Sequence, residues 1–263
     1  MNTLVGTAFG ADPGRWPLPS AHTVEQHWHR AVAAGGQGRY AAALADLDEL
    51  GRARAGGPCA SLALSTRASF LRQLGWHDRA RGWDALALAR AGADADAFVD
   101  ARADAVIGLA ADALGVGRFA LSDRMLARAR ELADGHISER LPVRLAWVSA
   151  ELAMVTGRGA DAVGHAERAV ALAGALTSVR HAVKSDVVLA AALCCAGTIE
   201  RSRDVADAAL VTAERHGLVP LTWALACLLA DIGSASRGSD EIAAVRDDCA
   251  AVVRHRGGVW SNR

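Results

Sequence analysis

Gly38-Arg39-Tyr40-Ala41-Ala42-Ala43 is the stretch whose reading decides the fold. A glycine tolerates the left-handed backbone that ends a helix, and the alanine-rich run after it favours a new one. Four more segments repeat the arrangement: Gly75-Trp76-His77-Asp78-Arg79-Ala80, Gly117-Arg118-Phe119-Ala120-Leu121-Ser122, Gly157-Arg158-Gly159-Ala160-Asp161-Ala162 and Gly197-Thr198-Ile199-Glu200-Arg201-Ser202. Successive glycines stand 37, 42, 40 and 40 residues apart. A period in this range marks a stacked array of helical hairpins.

Working outward, each glycine separates two helical runs. The expected pairs cover about 22–34 with 40–54, and 59–74 with 78–91. A third begins near Asp94 or Asp96 and continues past Gly117 to Ala133. A fourth runs from near Ser138 to Gly174, a fifth from Thr177 or Ser178 to His216, and a sixth covers 220–232 with 239–255. Leu141, Leu145, Val148, Leu152 and Val155 recur at helical spacing, with Arg144, Trp147, Glu151 and Met154 on a second face. Pro58, Pro142 and Pro220 fall where proline suits a first helical turn. Ser239 is placed to cap the last helix, with Asp240 and Glu241 in its first turn. Residues 1–20, with Pro13, Pro17 and Pro19, read as an extended leader. Residues 21–256 form one repeat domain and 257–263 a tail.

Composition removes several functions. Aromatics make up 5% of the chain, too few for a sandwich or barrel. Basic and acidic residues balance at 29 each, which leaves no excess for a phosphate backbone. Lys184 is the only lysine, which reads as the coding bias of a GC-rich bacterial genome. No run approaches the roughly 18 apolar residues of a membrane span, and the leader lacks the basic start of a secretion signal. Five cysteines, with no Cys-x-x-Cys pair, point to free thiols and a cytoplasmic setting.

These turns resemble tetratricopeptide repeats, whose second helix opens with Gly-x-Tyr-x-x-Ala. The Gly38 segment matches it fully, followed by Leu47 and Leu50 at further apolar positions. The Gly117 segment keeps the aromatic, those at Gly75 and Gly157 keep the alanine, and the Gly197 segment keeps glycine and an apolar residue. The period exceeds the family's 34 residues and implies longer first helices. The resemblance implies an all-α, right-handed superhelix of about six antiparallel hairpins, whose first helices line a concave groove. Aligned on the glycines, it places Glu25, Trp28, Arg72, Asp104, Arg144, Trp147, Glu151, Met154 and Lys184 inward. The Lys and Asn with which some members hold a peptide's C-terminus are missing: Lys184 is alone, and no Asn lies between Asn2 and Asn262.

The expected function is therefore that of a non-catalytic scaffold binding a protein or peptide in the groove. The alternative is a stand-alone sensor domain of a bacterial regulator, answering to a small molecule or short peptide. No cofactor is implied. His22, His27 and His29 cluster on the first helix but read as a polar surface rather than three metal ligands. Cys194 and Cys195 read as small apolar packing residues. Trp147 and Trp28 have two readings each, as groove anchors or as packing between hairpins. The last hairpin, with Val252, Val253 and Trp260, lacks a polar cap, so a homodimer through that end is expected.

Overall fold

The computed structural model describes residues 3–52, 57–92, 98–133 and 138–261, and no strand occurs among them. A short helix, α1 (Thr3–Phe9), precedes six antiparallel hairpins. These pair α2 (Val24–Gly36) with α3 (Tyr40–Arg52), α4 (Gly57–Gln73) with α5 (His77–Ala91), and α6 (Val99–Gly115) with α7 (Phe119–Ala133). Then come α8 (Arg140–Val155) with α9 (Gly159–Gly174), α10 (Val179–Cys195) with α11 (Ile199–Arg215), and α12 (Val219–Ile232) with α13 (Ser239–His255). Helices occur where the glycine period and apolar spacing predict them. The expected caps Asp94 and Asp96 lie outside the described residues.

All five repeat glycines carry positive φ, from 71° at Gly38 to 85° at Gly75. The residue after each donates its N–H to the carbonyl five residues back, at 2.8–2.9 Å: Arg39 to Ala34, Trp76 to Leu71, Arg118 to Ala113, Arg158 to Ala153 and Thr198 to Leu193. This bond satisfies a helix-end carbonyl and reverses the chain. Five residues past each glycine stand Ala43, Ala80, Ser122, Ala162 and Ser202, every one fully buried. The position needs a small side chain because the next helix crosses the preceding one there. Ser202 meets the need by donating to the Ala190 carbonyl at 2.7 Å.

The odd-numbered helices from α3 onward form an outer layer. The even-numbered helices α2 to α12 pack in succession as an inner layer. The core runs between the layers in four apolar clusters. The array also closes on itself. Val253 of α13, with Val219 and Trp260, belongs to the same cluster as Tyr40 and Phe70. The Ala41 N–H donates to the Arg256 carbonyl at 3.0 Å, and the Arg256 guanidinium donates to the Gln37 carbonyl at 2.8 Å. The tail is held as well. Ser261 N–H donates to the Leu74 carbonyl, Trp76 donates to the Val259 carbonyl, and Trp260 stacks on Trp223 with centroids 4.4 Å apart. Val253 and Trp260, expected to seek a second copy, are thus covered by the chain's own first hairpins. The reason for expecting a dimer there is removed.

The leader departs from an extended segment. Residues 3–9 form α1 because Leu4, Thr7 and Ala8 make one buried face against α2 and α10. Local sequence gives little hint of it, since seven residues span fewer than two helical turns, too short a run to fix a period. Beyond α1 the chain turns at Pro13-Gly14, where Arg15 N–H donates to the Asp12 carbonyl at 3.4 Å, and lies against the start of α10 and the turn between α2 and α3. Gly10 O accepts from Val179 N–H at 3.2 Å, and Gln37 Nε2 donates to the carbonyls of Pro13 and Arg15 at 2.8 and 3.0 Å. Arg39 covers the Trp16 ring at 3.9 Å.

Candidate functional site

Polar side chains recur in columns on the inner helices, set by the glycine register. Thirteen residues before their glycines stand Glu25, Asp104, Arg144 and Lys184 on α2, α6, α8 and α10. Neighbours in the column pair: the Arg144 guanidinium donates to the Asp104 carboxylate. Three positions later, Trp28 and Trp147 occupy equivalent sites and behave alike. Trp28 Nε1 donates to Thr66 Oγ1 at 3.0 Å, and Trp147 Nε1 to Ser185 Oγ at 2.9 Å. Each indole therefore fastens its helix to the next inner helix. Trp28 is buried. Trp147 is half-buried and stacks on His181 with centroids 5.5 Å apart. Both tryptophans pack between hairpins, and neither projects freely into the groove.

The other expected groove residues divide. Glu151 pairs with Lys184 at 3.3 Å, and Lys184 Nζ lies 6.0 Å above the Trp147 ring. Asp104, Arg144, Trp147, Glu151 and Lys184 thus form one continuous patch across α6, α8 and α10. Glu25 stands across the groove on α2, exposed, 4.0 Å from His29. Met154 is partly buried and packs, like Trp147, against the apolar cluster of α8, α9 and α10. Arg72 belongs to a buried ion cluster with Asp84 of α5 and Asp112 of α6, at 2.9 Å from the latter. Gly108 makes room for it, because a Cβ there would collide with the Asp84 carboxylate. Burial opposes the Arg72 charge, but the two carboxylates hold its pKa above the ordinary value. Burial also pushes Asp112 up to about 7, against the pull of Arg72 and with a push from Asp84.

The leader fills the space these columns face. Phe9 sits among Trp28, His29 and His181, with centroids 5.4, 5.8 and 6.2 Å away. Arg140 of α8 lies over its ring at 4.2 Å and Arg180 of α10 at 5.9 Å. Arg140 and Arg180 fall one helical turn before the Arg144 and Lys184 column, in line with Asp100 of α6. The same register, extended by four residues, reaches them in the sequence. Burial, reinforced by the neighbouring cations, holds His181 well below its usual pKa, and burial also lowers His29. Both rings are neutral at pH 7.

Other candidates resolve into structural roles. His27 Nδ1 meets the Asp46 carboxylate at 2.9 Å, which also takes Arg30. Cys194 is partly buried, but Cys195 is exposed, contrary to the packing role expected of it. Cys195 is the last residue of α10, where the helix ends at the Gly197 turn. An open depression of 730 Å³ among α3, α4 and α5, lined by Leu47, Leu64, Trp83 and Leu86, lies outside the groove. Among the described residues, no helix is long and apolar enough to cross a membrane. The chain matches no protein-family model, and no curated protein is significantly similar to it.

Proposed function

We propose that this chain is a non-catalytic, cytoplasmic scaffold of the tetratricopeptide-repeat type, which binds a peptide or a protein segment along its inner layer. One observation carries the reading: the groove already holds a segment of this chain in the manner of a ligand. Inner helices seat Phe9 in an aromatic pocket and Val179 N–H holds the Gly10 carbonyl, while the turn between α2 and α3 holds the following residues through Gln37 on the Pro13 carbonyl and Arg39 on Trp16. Backbone contacts give affinity and side-chain pockets give selectivity in peptide recognition generally. A resident segment lowers apparent affinity for any competitor by the fraction of time it is seated.

The test uses the full chain carrying Phe9→Ala and Trp16→Ala, titrated with a fluorescent peptide of residues 3–19. Uptake at micromolar concentration is expected for the variant, and much weaker uptake for the wild type. A folded variant that takes up no peptide at millimolar concentration overturns the reading. The stand-alone sensor remains a second reading, favoured by the two groove arginines against Phe9 that have no carboxylate partner.

A further inference from the structure

Four other cations on the inner helices are answered by acids among the described residues. Arg72 has Asp84 and Asp112, Arg144 has Asp104, Lys184 has Glu151 and Arg30 has Asp46. Arg140 and Arg180 differ: among the described residues neither side chain has a hydrogen bond or ion pair, and their contacts are the faces of Phe9 and Trp28. Asp100, in the same column on α6, acts upward on the Arg140 pKa through space but accepts its hydrogen bond from Ser138 N–H. Arg180 Nε is buried with no acceptor at all. An orphaned, charged donor costs more than a neutral one, because its full hydration is lost without return.

The two guanidiniums lie against one phenyl ring, 4.2 and 5.9 Å from its centroid, and Arg140 is close enough to act on the Arg180 charge. Burial pushes each down to about 10, and Arg140 adds repulsion at Arg180. Both therefore remain charged at neutral pH, and together they present two positive charges. Arg140 opens α8 and Arg180 stands second in α10, so two positively polarised helix starts reinforce them. His181 adds no third charge; its Nδ1 is engaged with Ser178 Oγ at 2.7 Å.

We propose that Arg140 and Arg180 form a binding site for one doubly charged phosphate group, free or carried on a small molecule, with Phe9 as its wall. A phosphate brings about −1.5 to −2 charges and three acceptor oxygens, which matches two forked guanidiniums. A single carboxylate leaves one of the two charges unanswered. The proposal deepens the sensor reading and rests on it.

Calorimetry on the full chain, at constant ionic strength, tests it with inorganic phosphate, O-phosphoserine and succinate. Binding of either phosphate at one site is expected, with a rise in thermal midpoint as ligand is added. Inorganic phosphate alone, or phosphoserine alone, tells a free ion from a phosphomonoester, and each supports the site. Arg180→Gln and Arg140→Gln should each weaken binding by about tenfold or more. Arg180→Lys, which keeps the charge and loses the fork, should fall between; it serves if a glutamine variant does not fold. Three results overturn the proposal: no binding of either phosphate at millimolar concentration, equal affinity for succinate, or undiminished binding by the folded variants. Stabilisation by uncharged small molecules without any phosphate response keeps the sensor reading and removes this one.

Discussion

Arg72 and Arg180 project from inner helices of one array, and the chain treats them in opposite ways. Around Arg72, α5 and α6 supply two carboxylates, and Gly108 is small so that Asp84 can reach in. Around Arg180, the neighbours are Phe9, a second arginine and the helix end at Gly36, with no acid to pair it. The first cluster ties three helices together and answers the arginine's charge with carboxylates. The second leaves charge unanswered in the part of the groove that the leader covers. Within one groove, compensation separates side chains that hold the scaffold from those held ready for something else.

The largest expected effect breaks the compensated side. Arg72→Ala leaves Asp84 and Asp112 buried together without a cation, and should cost about 3–5 kcal/mol, read from the denaturant midpoint at unchanged slope. The next is a pH effect. Asp112 titrates at about 7 in the fold, above the roughly 4 of an exposed carboxyl, so its neutral form is favoured there. Its contribution is complete below about pH 4 and is lost as pH rises towards 7. Asp112→Asn removes that loss. The stability of the variant relative to wild type should therefore increase between pH 5 and pH 7, by on the order of 1 kcal/mol per pH unit. His29, His77 and His181, whose pKa values burial lowers, act in the opposite sense but are common to both proteins and cancel. A flat difference across that range removes the proton from Asp112. The smallest effect has the opposite sign. Arg180→Met deletes an unanswered charge, and should be neutral or stabilising by about 1 kcal/mol in the absence of added anion. A marked loss of stability would mean that Arg180 has a structural partner after all.

What the sequence discloses follows from how local each feature is. The turn at Gly38 is written in six consecutive residues, and so are its four echoes, because the left-handed glycine and the small residue five places on are local needs. The inner column of Asp104, Arg144 and Lys184 is legible for the same reason: one glycine fixes the phase of the helix before it. The fate of Trp147 is not, since it depends on Ser185 and His181 of the next hairpin. The seat of Phe9 is less legible still. It draws on α2, α8 and α10 at once, and nothing between Thr3 and Phe9 announces a partner more than a hundred residues away. Arg140 and Arg180 lay within reach of the register, but that they lack acids is a property of space.

The closure of the last hairpin onto the first sets an order of events during synthesis. The contact between Arg256 and Gln37 spans 219 positions, and Trp76 meets Val259 across 183. Open arrays of hairpins gain stability one neighbour at a time as each unit is completed. Here the N-terminal hairpin, made first, waits for the C-terminal one before its apolar flank around Tyr40 and Phe70 is sealed. Phe9, made earlier still, has no seat until α10 is in place. While the ribosome is still at work, the first repeat and the leader are the most exposed parts of the chain, and chaperones would meet them first.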